Sequence, residues 1–387
     1  MPSAAILIAA VSLAIWIYLV FARGWFWRLG EFDHDKIEAP PPREWPRVTA
    51  VVPARNEAAT IGRTVGTLGR QDYPGEFAIV VVDDHSEDGT AEIARRATEE
   101  GGAPERFSIC SAATLPAGWT GKLWSLNEGV TQAAKNAPEF YWFTDADVAQ
   151  APETLRRLVT TAEAGKLELA SLMVLLQVES LQERALIPAF LYFFLKLYPP
   201  RWIADSNART AGAAGGCILL RRSALERIGG LAAIRGEVID DCALARAVKE
   251  SGGRIWMGLT RASVSLREYG SFGEIRDLIA RTAFTQLGYS AFVLFGMLAG
   301  MLFTYSAPVA VLFAHDSIAR MLGAAAWALM SLSFLPTVRF YRLWPLWAPL
   351  LPLVALFYSY ATCVSAVRYW LGRGGHWKGR TQAPRAA

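Results

Sequence analysis

The apolar positions of this chain fall into two kinds of run, long and unbroken at both ends and short and punctuated in between. Ala4 to Ala22 is 19 residues without a charge, followed by Arg23 and Arg28. Near the other end, Gly288 to Ala314 is 27 uncharged residues, Met321 to Val338 is 18 and Leu343 to Val367 is 25. About 20 apolar residues in a helix cross a hydrocarbon core of roughly 30 Å. A buried helix of a soluble fold rarely stays uncharged so long, so the pattern predicts one N-terminal anchor (1–27) and about three C-terminal segments (288–370). The last of these is interrupted by Pro345, Pro349 and Pro352. A cleaved signal peptide fits the first run poorly, because Met1-Pro2-Ser3 supplies no basic start.

From residue 46 to 287 the runs shorten and alternate in period. VTAVVPA (Val48 to Ala54), FAIVVVDD (Phe77 to Asp84), RFSIC (Arg106 to Cys110) and FYWFTD (Phe140 to Asp145) read as strands. Between them, Glu57 to Arg70, Asp88 to Glu100 and a stretch with Leu126, Val130 and Ala133 on one face read as helices. Such alternation predicts an α/β fold with a mostly parallel, Rossmann-like sheet covered on both faces. Ala185 to Tyr198 is 14 largely apolar residues interrupted by Lys196, too short to cross a bilayer. It reads either as a core helix or as an interfacial one. Residues 28–45, with Pro40, Pro41 and Pro42 and then Pro46, read as a stiff linker, and 371–387 as a basic tail.

Composition sharpens this. The chain is 53% hydrophobic and 19% charged, with a mean hydropathy of +0.23, which excludes an ordinary soluble enzyme. A net charge of +4 suits a protein lying against anionic lipid. The basic residues are dispersed rather than interleaved with stacking aromatics, which argues against nucleic acid. Cys110, Cys217, Cys242 and Cys363 show neither metal spacing nor a pairing pattern, and His34, His85, His315 and His376 form no triad or zinc motif. The positive-inside rule puts Arg23, Arg28, Arg339 and Arg342 in the cytoplasm together with residues 23–287. Three full C-terminal crossings would then place the basic GRGGHWKGR outside. One C-terminal segment is therefore expected to be re-entrant or interfacial.

In parallel α/β sheets ligands gather at the carboxyl ends of strands, and the acidic residues gather there too. Asn56-Glu57 follows the first strand, Asp83-Asp84 the second, and Asp145-Ala146-Asp147 the fourth. Two carboxylates at i and i+2 past a strand can converge on Mg²⁺ or Mn²⁺, or simply form an Asx turn ahead of the next helix. Asp83 or Asp84 can accept from a nucleobase N–H or a ribose hydroxyl, or cap a turn. Lys122 in GKLWSLNEG is a point charge for phosphate, or a solvated lysine. Asp240-Asp241 can N-cap the helix starting near Cys242.

Taken in order, VVPARNE, VVDDHSEDGT, GKLWSLNEG, FTDAD, GGCILLRRSALERIGG and IDDCALA resemble the inverting family 2 glycosyltransferases of GT-A fold over residues 46–287. With the flanking spans the chain is most similar to the bacterial hopene-associated glycosyltransferases, near the ceramide and carotenoid types. The resemblance implies transfer from a nucleotide-sugar, UDP-linked, to a lipid acceptor such as a hopanoid, sterol-like or sphingolipid-like molecule at the cell inner membrane. It implies donor contacts at Pro53, Arg55, Asn56, Glu57, Asp83, Asp84, Lys122, Asp145 and Arg281. It also implies a Mg²⁺ or Mn²⁺ on Asp147 with Asp145 close by, and catalytic acids at Asp240 and Asp241, the second as general base. One departure stands out: many membrane members carry Gln/Arg-x-x-Arg-Trp before the C-terminal spans, where this chain has Leu278, Arg281 and Thr282. That argues against a processive polysaccharide synthase. Joint retention of Asp83, Asp84, Asp145, Asp147 and Asp241 argues against a non-catalytic membrane scaffold.

Overall fold

The computed structural model describes residues 3–36, 38–100 and 104–381, so the end of the basic tail, 382–387, lies outside the described residues. The chain forms two compact units, Phe32–Gln177 with Trp202–Glu268, and residues up to Glu31 with Val178–Arg201 and those from Tyr269. The segment 32–36, read as linker, thus belongs to the first unit, and the helices Leu181–Leu197 and Phe272–Gln286 to the second.

The first unit is built on one eight-stranded sheet: β1 (Val48–Ala54), β2 (Phe77–Asp83), β3 (Phe107–Ser111), β4 (Phe140–Phe143), β5 (Val148–Ala149), β6 (Leu169–Leu175), β7 (Ile218–Arg221) and β8 (Ile255–Ser265). Their order is 3-2-1-4-7-6-8-5. The first four are mutually parallel, as expected from βαβ connections, while β7 runs antiparallel between β4 and β6, and β5 antiparallel on β8. β1 is buried along its whole length, which is why VTAVVPA has no polar alternation. Gly129 sets how closely the helix Gly121–Ala133 lies on the sheet: a Cβ there would stand 2.3 Å from Val51 Cγ1 and 2.9 Å from Val82 Cγ2. The start of the predicted linker is not free. Leu259 N–H donates to the Phe32 carbonyl (2.7 Å), and Asp35 accepts from Thr260 Oγ1 (2.6 Å) and Arg261 N–H (2.8 Å), so residues 32–36 are laced along β8.

Among the described residues of the second unit, four helical segments are long and apolar enough to cross a membrane: Ala4–Phe21, Ala291–Phe313, Ser317–Phe340 and Pro345–Trp370. Ala4–Phe21 and Ser317–Phe340 start side by side, Ser3 Oγ donating to Asp316 Oδ2 (3.2 Å). Ala291–Phe313 runs against them, with Val311 packed on Ala9 and Ala319. Pro308 has no N–H to offer the Thr304 carbonyl four residues back, and the Trp16 indole supplies one (2.7 Å); Ser12 Oγ does the same for Phe303 (2.6 Å).

Pro345–Trp370 does not continue this up-and-down pattern. Its start reaches back along Ser317–Phe340, where Trp327 Nε1 donates to the Pro349 carbonyl (3.0 Å), about 20 Å from Phe340 at 1.5 Å per residue. Its far end lies against the residues just before Ala291. Arg368 pairs with Asp277 (2.8 Å), Ser365 Oγ accepts from Phe284 N–H (3.1 Å), and Tyr369 stacks on Tyr289 at 4.4 Å. The chain thus leaves Phe340 and comes back to the level of Ala291, at the same end of this helical unit. Leu181–Leu197 packs on these apolar helices: Tyr192 and Phe193 meet Phe334, Tyr305 and Tyr358, and Tyr192 Oη bonds Ser333 Oγ (2.7 Å).

Candidate active site

At the carboxyl ends of β1 and β2 the first unit laces two loops together. Asn56 takes a left-handed turn (φ 51°), and its N–H donates to Ser86 Oγ (2.9 Å) while its Oδ1 accepts from Glu87 N–H (2.9 Å). Glu57 N–H donates to Thr90 Oγ1 (2.8 Å) and Ala58 N–H to Asp88 Oδ2 (3.0 Å). The small polar residues of DDHSEDGT thus hold the loop of VVPARNE in place. His85, also left-handed (φ 54°), is a turn residue. Arg55 donates to the Asp84 carbonyl, which fixes it against the same turn.

The two acids of this pair differ. Asp83 Oδ2 accepts from Ser86 N–H (3.3 Å), whereas its Oδ1 is buried and has no hydrogen-bond partner among the described residues. A buried carboxylate oxygen without a donor is costly, and a ligand N–H or O–H there would remove the cost. Asp84 is more deeply buried still, at 1% exposure against 8%.

The second cluster centres on Lys122, in the first turn of the helix that Gly129 seats on the sheet. Its Nζ lies 2.9 Å from Asp145 Oδ1 and 3.3 Å from Asp240 Oδ2. The floor beneath is apolar, formed by Pro53, Leu126, Ile218, Ile234 and Leu244. Burial by itself would lower the lysine pKa, but Asp145, Asp240 and Asp241 outweigh it and hold the ammonium well above its usual range.

Asp240 and Asp241 open the helix Asp240–Glu250. Asp241 accepts from two backbone donors, Gly215 N–H on Oδ2 (2.9 Å) and Cys242 N–H on Oδ1 (2.7 Å). Burial and the neighbouring Asp240 charge push its carboxyl up to about 6, against the pull of Lys122 and the two N–H groups. Asp240, engaged with Lys122, is placed as the cluster's counter-charge.

Asp147 sits just before β5, and Leu266 N–H, past the end of β8, donates to its carbonyl (2.6 Å). Its carboxyl is also raised to about 6, by burial first and then by the charges of Asp145 and Glu57; Arg267 and Lys122 pull the other way. A carboxylate strained by neighbouring negative charge is what a divalent cation relieves. Among the described residues no group of three or more His, Cys, Asp or Glu could hold a metal ion.

The structure thus brings together Pro53, Lys122, Asp145, Asp240 and Asp241 around one apolar-floored crevice. Arg281 belongs to the other unit, on the helix Phe272–Gln286, where Arg276 is paired with Asp277. Arg267 was not anticipated. A lone arginine after a strand carries no motif, and only the β5–β8 pairing reveals its field on Asp147.

A sequence model of the family described as "Glycosyltransferase like family 2" matches residues 46–285. No curated protein matches the chain. Among solved structures, the mannosyltransferase PcManGT from Pyrobaculum calidifontis, in complex with GDP-Man and Mn²⁺, is 20% identical, with 93% of this chain and 99% of that chain covered at a TM-score of 0.57. At that identity what is shared is the fold. TarS of S. aureus (17%, 76% and 55%, TM-score 0.42) and the glucosyl-3-phosphoglycerate synthase of Mycobacterium tuberculosis (16%, 63% and 80%, TM-score 0.37) are more distant. The family match spans well over half of the chain, and on that footing the chain belongs to the family 2-like glycosyltransferases, enzymes that draw on nucleotide-sugar donors.

Proposed function

We propose that this protein is a membrane-bound inverting glycosyltransferase that moves a sugar from a UDP-linked donor to the hydroxyl of a lipid such as a hopanoid, a sterol-like or a sphingolipid-like molecule. The observation that carries the reading is Asp241: a carboxylate with a raised pKa, each oxygen steadied by one backbone N–H, beside the Lys122–Asp145 pair.

Each oxygen keeps a lone pair beyond the one its N–H occupies. One can accept the proton of the acceptor hydroxyl as that oxygen bonds to the anomeric carbon. The bond from that carbon to the diphosphate breaks on the opposite face, its electron pair leaving with the nucleoside diphosphate, and the configuration inverts. Asp83 offers its open oxygen to the base or ribose, and Lys122 is placed to exchange Asp145 or Asp240 for a phosphate. Asp147, with Asp145, would hold a Mg²⁺ or Mn²⁺, which when bound supplies charge neutralisation on the leaving diphosphate.

The membrane part of the reading follows from the second unit. With three crossings and one returning segment, Arg23, Arg28, Arg339, Arg342, Arg368 and Arg373 share one end of the bundle, the cytoplasmic one by the positive-inside rule. This favours an inner-membrane, multi-pass protein, similar to the hopene-associated type. Arg28 lies 4.0 Å over the Trp25 ring, a basic–aromatic pair of the kind that anchors at headgroups.

The test is incubation of membranes holding the full chain with radiolabelled UDP- and GDP-sugars and lipid extracts, with and without Mn²⁺, beside Asp241→Asn. Label entering the lipid phase with the wild type and not with the variant is expected. If no donor is hydrolysed or transferred under any metal condition, the reading fails.

A further inference from the structure

The segment leading to Gly215 is held from two sides. Ser171, fully buried on β6, accepts from Ala214 N–H (2.8 Å) and donates back to the Ala214 carbonyl (3.2 Å). The other side is the helix that begins with Asp240 and Asp241. Cys242 Sγ donates to the Ala213 carbonyl (3.7 Å), and Lys249, one residue from the end of that helix, donates to the Thr210 carbonyl (2.7 Å). The strip 210–214 is therefore clamped between β6 and the helix that bears Asp241, and it ends in the Gly215 N–H that meets Asp241 Oδ2.

Glycine is not needed at 215 for its backbone, since it is absent from the residues with positive φ. It is needed for space. A Cβ would stand 3.2 Å from Lys122 Nζ, 3.4 Å from Asp241 Oδ2 and 3.8 Å from Asp145 Oδ2. The first two are tighter than, or at the edge of, ordinary van der Waals contact, and both press on charged groups of the crevice.

We infer that Gly215 is a positioning residue for proton transfer: its N–H fixes the Asp241 carboxylate, and its bare Cα leaves that carboxylate its place. This rests on Asp241 being the base.

The experiment uses the full chain in detergent with UDP-glucose, UDP-N-acetylglucosamine and GDP-mannose as probes, Mn²⁺ present, and nucleoside diphosphate release as the readout. For any probe that the wild type turns over, Gly215→Ala should lower kcat about 10- to 50-fold while donor KM moves less than about 3-fold, since a carboxylate a few tenths of an ångström off line still leaves the donor bound. Because both changes act through one group, Gly215→Ala added to Asp241→Asn should cost less than about 2-fold more. Ser171→Ala loosens the same strip without adding bulk, and should lower kcat roughly 3- to 10-fold with the same lack of additivity. Thermal melts establish that each variant folds; if Gly215→Ala does not, Ser171→Ala decides on the same criteria. Full kcat in the folded variants, a loss confined to KM, or losses that multiply with Asp241→Asn would overturn the inference. A wild type inert toward every probe would instead remove the functional reading, and the inference with it.

Discussion

Lys122→Met removes the ammonium from between three acids and leaves a side chain of similar length. At the observed 2.9 and 3.3 Å, each contact carries raw attraction of about 5 kcal/mol at an effective dielectric near 20, much of it offset by desolvation. Deleting one partner of a buried pair typically costs 3–5 kcal/mol; because these side chains keep some exposure, about 3 kcal/mol at pH 7.5 is expected. The pH dependence is more diagnostic. Asp241 and Asp147 are already raised to about 6 in the folded protein, so what they contribute to stability is present below their unfolded values and lost as pH rises through 6. Lys122 lowers both, and without it both rise further. The variant should therefore be weakest relative to wild type above pH 7 and recover most of the difference by pH 5. Cys217 and Cys242 are buried in the α/β unit, while Cys110 and Cys363 are half-buried. With the latter two replaced by serine, the rate of thiol labelling in urea reports opening of that unit alone. At pH 7.5 the variant should label about two orders of magnitude faster, the equivalent of 3 kcal/mol, and at pH 5 less than tenfold faster. An equal difference at both pH values would refute the argument that Lys122 holds these acids ionised.

Asp147→Ala should abolish the Mn²⁺ dependence of nucleotide-sugar binding measured by calorimetry, and unchanged metal-dependent affinity would remove Asp147 from the metal site. Since Asp241 works as a base only when ionised, kcat should climb with pH through about 6 and level off above it; a flat profile between pH 5 and 8 would speak against the role. Gly129→Ala should destabilise the α/β unit by about 1–3 kcal/mol through overpacking, because its Cβ meets the branched, buried side chains of Val51 and Val82. The same labelling assay reads it, and wild-type rates would mean the helix can shift away at little cost.

The parts legible in the sequence are those where one physical requirement dominates a continuous stretch. VTAVVPA is buried on both faces, so its composition alone marks the strand from Val48 to Ala54, and the uncharged runs mark the apolar helices. The reversed directions of β7 and β5 left no trace, because a strand's composition records burial and not polarity. Within the crevice the acids could be named but not told apart. That Asp83 rather than Asp84 keeps an open oxygen depends on a single Ser86 N–H, and that Asp240 is spent on Lys122 depends on contacts across more than a hundred residues. Ser171 was invisible for the same reason: one serine in an apolar strand says nothing until Ala214 is beside it.

Ser365 takes the N–H of Phe284 and gives its hydroxyl hydrogen to the carbonyl of Ala280, while Arg368 pairs with Asp277. The helix Phe272–Gln286 is therefore finished by groups made more than eighty residues after it. During synthesis that helix emerges well before its partners exist, and it must wait through the making of two apolar segments for them. A ribosome that stops short of residue 365 would release a chain whose α/β sheet is complete in sequence and whose Phe272–Gln286 helix has lost its last-made clasp. Quality control acting on the end of this chain would thereby also inspect a helix belonging to its middle.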